Sequence, residues 1–117
     1  MTEVYKIPQG EITVNFSDEH MSVGLLTMDS RQELSKHNRP VDEELVQIYG
    51  SCVIKIFDEG GIEKEVSLKK GEKLIIPKNQ FHVHANSCQD TSIISWKFEG
   101  NIIPVIRDIK SNSKRIL

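Results

Sequence analysis

The run from Gly71 to Asn86, G-E-K-L-I-I-P-K-N-Q-F-H-V-H-A-N, constrains this chain more than any other stretch. An apolar segment, a turn opening on Pro77 and two histidines one residue apart follow one another without a break. Residues two apart on a strand project from the same face. Read as a strand, the end of the run aims His82, His84 and Asn86 into one space, and polar side chains converging in that way can build a site.

The rest of the chain reads in the same language. Short strand-like runs separated by turn residues predict a sandwich or barrel rather than alternating helices and strands. Strands are expected near Glu11–Asn15, Ser22–Asp29, Glu44–Tyr49, Cys52–Phe57, Ile62–Leu68, Lys73–Ile76, Phe81–Asn86 and Thr91–Phe98. Asp58-Glu59-Gly60-Gly61 predicts a hairpin turn, and Lys69-Lys70-Gly71-Glu72 and Pro77-Lys78-Asn79-Gln80 bracket the short strand between them. After Gly100 the period changes. Ile102, Ile103, Ile106 and Ile109 recur at helical spacing, with Pro104 near the start, where its missing N–H matters least. A short C-terminal helix on the barrel is expected, ended by Ser111-Asn112-Ser113, with the last few residues disordered. No repeat or linker divides residues 1–117, which read as one domain with one core.

The histidine run resembles the second motif of the cupin superfamily: G, five residues, P-x-G, two residues, H, three residues, N. Gly71, Pro77, His82 and Asn86 fall at its spacing, and Asn79 stands where the family has glycine. Asparagine is the non-glycine residue that best tolerates a left-handed turn. The stretch His37–Gly50, H-N-R-P-V-D-E-E-L-V-Q-I-Y-G, is similar to the first motif, H-x-H, three or four residues, E, six residues, G. His37, Glu43 and Gly50 match, but Arg39 occupies the place of the second histidine, and Arg31 the place of a glycine often found six residues before the first. The resemblance implies an all-β double-stranded β-helix, the jelly-roll barrel of a small single-domain cupin, and this agrees with the strand reading.

In metal-binding cupins these motif positions converge on one divalent ion. The resemblance therefore implies His37, Glu43 and His82 as metal ligands, a set suited to Fe, Mn, Ni or Zn with positions left open. Glu44 competes with Glu43, because the motif tolerates either count and neighbours on a strand face opposite ways; the six-residue distance to Gly50 favours Glu43. His84 shares the face of His82 and is a candidate third imidazole or pocket residue. Gln47, Tyr49 and Asn86 are further pocket candidates. Arg39 argues against a metal: at about 5 Å from a dication, with an effective dielectric near 20, the repulsion is of order 6 to 7 kcal/mol. It either pairs with Asp42, Glu43 or Glu44, or reads a carboxylate or phosphate on a ligand. His20 reads as a surface residue, Trp96 and Phe98 as core, and Cys52 and Cys88 as reduced, buried filler.

With 15 basic and 17 acidic residues the chain has no charge excess that would draw it to nucleic acid or to an anionic membrane. No apolar stretch is long enough to span a bilayer and the N-terminus lacks the apolar core of a secretion signal, so a cytoplasmic location is expected. Three functions remain open. One is a metallocupin that binds or transforms a small molecule. The second is a metal-free cupin that binds a sugar or carboxylate. The third is a metal-free sugar isomerase with histidine as general base. The resemblance also implies a homodimer formed through the outer sheet.

Overall fold

A computed structural model describes residues 2–61 and 63–107. Nine strands form among them: β1 (Glu3–Ile7), β2 (Gly10–Ser17), β3 (Met21–Met28), β4 (Glu43–Tyr49), β5 (Ser51–Phe57), β6 (Glu63–Lys69), β7 (Lys73–Ile76), β8 (His82–Ala85) and β9 (Ser92–Glu99). They pair antiparallel in a six-stranded sheet, β1-β2-β3-β9-β4-β7, and a three-stranded sheet, β6-β5-β8. The result is a jelly-roll barrel.

Alternation along the strands explains the layering. In β9, Ser92, Ile94, Trp96 and Phe98 turn inward, and in β3 the inward set is Ser22, Gly24, Leu26 and Met28. They meet Cys52 and Ile54 of β5 and Leu68 of β6 in one apolar core. A Cβ on Gly24 would stand 2.0 Å from the Thr13 carbonyl oxygen and 2.5 Å from the Trp96 ring, so the bare backbone is what makes room for the indole against β3.

Strand β8 is buried along its whole length because it has neighbours on both sides. One edge pairs with β5, Ile54 opposite His84 and Ile56 opposite His82. The other is bridged by the segment before β4. His37 and His82 exchange backbone hydrogen bonds of 3.0 and 2.8 Å, Leu34 donates to the His84 carbonyl at 3.0 Å, and Asn86 donates to the Gln32 carbonyl at 2.8 Å. The two histidine-bearing motifs are thus hydrogen-bonded to each other directly.

Both motif positions that lack the family's glycine adopt the left-handed backbone: φ is 66° at Asn79 and 59° at Arg31. Asn79 donates its N–H to the Arg39 carbonyl, and Asp42 Oδ1 accepts the Lys78 N–H at 2.8 Å, so the Pro77–Gln80 turn is clamped onto the first motif. Gly50 closes that motif at φ 70°, where a Cβ would lie 2.6 Å from the Thr91 carbonyl oxygen.

Strand β1 was not foreseen in the sequence. Only Ile7 of its five residues is fully buried and Val4 stands exposed, so its apolar pattern is too short to mark a strand. Other strand ends move by a residue or two: β8 starts at His82, leaving Phe81 exposed, and β6 is described from Glu63. The helix occupies 103–107, with the Asn101 side chain accepting the Ile103 N–H at 2.8 Å as its cap and Ile106 N–H bonded to the Ile102 carbonyl at 3.0 Å. Ile109 and Ser111-Asn112-Ser113 lie outside the described residues.

Candidate metal centre

Three imidazoles meet inside the barrel. The His37 and His82 ring centroids are 4.3 Å apart, His82 and His84 5.1 Å, and His37 and His84 5.5 Å. One nitrogen from each of these rings lies within 4.8 Å of the other two. The backbone fixes two tautomers. His37 Nδ1 donates to the Ser35 carbonyl at 2.7 Å and His82 Nδ1 to the Gln80 carbonyl at 2.8 Å. A carbonyl only accepts, so both Nδ1 atoms carry the proton and each Nε2 presents a lone pair. This is the second-sphere arrangement that orients a metal-binding histidine.

Glu43 opens β4 facing inward and is 7% exposed. Its Oε1 lies 3.4 Å from His82 Nε2 and 3.8 Å from His84 Nε2. Glu44 faces the other way and pairs with Lys73 at 3.3 Å. Among the described residues, Glu43 Oε1, His82 Nε2 and His84 Nδ1 are buried with no hydrogen-bond partner, so the carboxylate and imidazoles are close but misaligned for bonding to one another. Glu43 Oε1 and His82 Nε2, buried, unpartnered and 3.4 Å apart, fit a cation between them.

The electrostatics favour the ligating forms. Burial above all, with the proximity of His84 and of the Arg39 charge adding to it, pushes the His37 pKa down to about 3. Burial likewise lowers that of His84, against the opposing pull of Glu43. Burial by itself raises the Glu43 carboxyl, but its contacts with His82 and His84 outweigh it and hold the group below the usual carboxylate range. At neutral pH the cluster thus offers neutral His37 and His84 beside an ionised carboxylate, as a divalent metal requires.

The cluster borders a cavity whose wall includes His37, Arg39, Glu43 and His84, with Trp96 and Phe98 stacked at a centroid distance of 5.6 Å. Arg39 is 9% exposed, and its Nη1 donates to the Asn38 carbonyl at 3.0 Å. Three pocket candidates fall elsewhere. Tyr49 is 54% exposed, because the ladder between β4 and β9 slips between Gln47 and Tyr49 and turns the tyrosine outward. Gln47 points inward but away from the cavity wall, where its amide donates to the Tyr49 carbonyl and to Ser92 Oγ. Asn86 spends its amide on the Met28, Asp29 and Asp90 carbonyls and its Oδ1 on the Cys88 N–H, which makes it a staple between loops. His20 lies on the surface with its side chain 83% exposed. Cys52 is buried, whereas Cys88 is exposed and so is not the buried filler expected. The wall also draws on Ile102 and Val105 of the C-terminal segment, which carries no motif that would have announced it.

A jelly roll with imidazoles and a carboxylate gathered inside defines the class: this chain has the cupin fold, as a single barrel. No protein-family model matches it, and no curated protein does. Solved structures do. An RmlC-like cupin from Shewanella frigidimarina superposes with a TM-score of 0.73 at 16% identity, over 90% of this chain and 89% of that one. Bacillus subtilis oxalate decarboxylase, described with Mn(II) centres, gives a TM-score of 0.74 at 16% identity, and an oxalate oxidase bound to the substrate analogue glycolate gives 0.63 at 17%. The match takes in 86% of this chain with the decarboxylase and 68% with the oxidase, but only 28% and 42% of those longer chains.

Proposed function

We propose that this chain is a metallocupin domain that holds one divalent transition-metal ion, Fe, Mn, Ni or Zn, through His37, Glu43 and His82, with His84 as a fourth donor, and that it binds or transforms a small molecule there. The observation that carries the proposal is the pair of buried, unpartnered atoms Glu43 Oε1 and His82 Nε2, 3.4 Å apart, beside the grouped nitrogens of His37, His82 and His84. The presence of Mn(II) centres in a structural neighbour supports it. A bound ion would act as a Lewis acid, polarising a carbonyl or activating water or oxygen. His84 supplies the imidazole that Arg39 replaces in the first motif. The imidazole missing from the first motif is matched by one on β8, two residues past His82, which leaves Arg39 on the cavity wall rather than in the ligand set.

Elemental analysis of untagged protein tests the proposal. Close to one equivalent of metal is expected after incubation with Mn(II), Fe(II), Ni(II) or Zn(II); less than about a tenth of an equivalent would leave the metal-free binding module as the reading. The proposal includes self-association through the outer face of the six-stranded sheet, where Val4, Phe16, Ile48 and Ile75 stand exposed. Sedimentation velocity is expected to give a dimer that Ile75→Lys weakens. Among the described residues, no helix is long and apolar enough to cross a membrane.

A further inference from the structure

We propose that the C-terminal segment 101–107 is a hinged plug, which closes one end of the barrel over the imidazole cluster and swings out about Gly100 to admit the ion and its ligand. The inference rests on the metal-binding reading only for what passes the plug. The closed site is cramped. About 30 Å³ of the cavity is open to the centres of water molecules, room for a water or two. A divalent ion in its shell of waters is larger than that, and so is an organic ligand. Part of the wall therefore has to move before either arrives.

Ile102 and Val105 are the movable part. Every other described lining residue stands in a strand or, like Leu34, His37 and Arg39, has its backbone bonded to β8 or to the turn before it. Beyond Gly100 the described hydrogen bonds to the barrel come down to one, from the Ile102 N–H to Ser17 Oγ at 3.5 Å. The others, Ile103 N–H to the Asn101 side chain and Ile106 N–H to the Ile102 carbonyl, stay within the segment. Gly100 has the features of a pivot. Its N–H is held by the His20 carbonyl at 2.9 Å, its φ of 95° lies where glycine alone is unstrained, and beyond its chain neighbours no atom would stand within 4 Å of a Cβ there. Rotation at Gly100 breaks two hydroxyl contacts, Ser22 Oγ to the Gly100 carbonyl at 2.6 Å and Ser17 Oγ to Ile102. Ser17 and Ser22 are also bonded to each other at 2.8 Å, so opening orphans neither. What holds the plug shut is the burial of Ile102 and Ile106 in the core cluster, and hydrocarbon contact leaves no unpaired polar group when it parts.

Diethyl pyrocarbonate, which acylates neutral imidazole nitrogens, reads the opening on the metal-free full chain. Mass spectrometry resolves each histidine, and His20, with its side chain 83% exposed, is the internal standard. His37, His82 and His84 are expected to react at least about a hundredfold more slowly than His20, through the open form alone. Val105→Ala takes two carbons from the plug and should speed the cluster roughly tenfold, at up to about fourfold per buried carbon. Val14→Ala makes the same deletion in the core away from the cavity wall and should change the cluster by less than about twofold. Gly100→Ala leaves the wall whole but strains the closed backbone, and should speed the cluster about fivefold or more. Equal acceleration by Val14→Ala, which would mean that unfolding exposes the cluster, overturns the plug. So does a Gly100→Ala protein that reacts like the parent, since Val105→Ala would then only have opened a hole. Stopped-flow zinc uptake and release tests what passes the plug. The segment offers no ligand, so Val105→Ala should raise both rates by one factor and leave Kd unchanged; zinc rates equal to the parent's overturn the inference as well. Absence of zinc binding overturns the metal reading and leaves the plug to be decided by the acylation rates.

Discussion

Replacing His84 by Phe separates a four-donor centre from the three-ligand set the motifs imply, and the expected size follows from the residue's surroundings. The ring is 4% exposed and its Nδ1 has no hydrogen-bond partner, so Phe keeps the packing and removes an orphaned polar atom whose burial costs about 1–3 kcal/mol. Against that gain, Glu43 loses an imidazole 3.8 Å away, and with it part of the attraction that keeps the buried carboxylate ionised. The opposing terms leave metal-free stability within about 1 kcal/mol of the parent, or about 4 °C in melting temperature for a chain of this length. The metal-loaded protein should behave differently. Sharing about 10–16 kcal/mol of binding free energy among four donors assigns roughly 3 kcal/mol to one of them, a loss of about a hundredfold in affinity. At a metal concentration a hundred times the parent Kd, the parent gains about 2.7 kcal/mol, or ~11 °C. The variant gains about 0.4 kcal/mol, or ~2 °C. Calorimetric melts with and without Mn(II) or Zn(II) measure both quantities, with His20→Phe as an exposed control. A His84→Phe protein that retains more than half of the parent's metal-induced shift would refute the four-donor reasoning.

Metal-free stability should also depend on pH, with a definite sign. The folded-state pKa of His37, about 3, lies below its ordinary value of 6.5, so as pH falls the unfolded chain takes up the proton first. The His37 contribution is complete above about pH 6.5 and is lost on the way down to pH 3, at up to ~1.4 kcal/mol per pH unit, which denaturant titrations at stepped pH will resolve. Iodoacetamide at pH 8 should label exposed Cys88 in the native protein and reach Cys52 only on unfolding, since burial pushes the Cys52 thiol up to about 12; mass spectrometry reads both sites. Arg31→Gly should raise the melting temperature by about 2–4 °C by relieving a left-handed backbone that glycine adopts freely.

Local chemistry made much of the molecule legible in the sequence. Short strand-like runs bounded by turn residues made β3, β4, β5 and β9 readable, because turn chemistry marks where a strand must stop. The turn at Asn79 was readable because a left-handed position admits few residues, and the inward choice of Glu43 followed from its distance to Gly50. What local chemistry does not encode is how ladders slip and which elements meet. The slip between Gln47 and Tyr49 takes the tyrosine out of the interior, and a set of loop carbonyls claims the Asn86 amide. Neither follows from residue spacing. His82-Val83-His84 by itself fixes two imidazoles on one face of a strand. That His37 joins them depends on a segment 45 residues earlier in the chain bridging β8, with His37 backbone-paired to His82. A strand edge can accept any backbone, and only the closed barrel decides which one it receives.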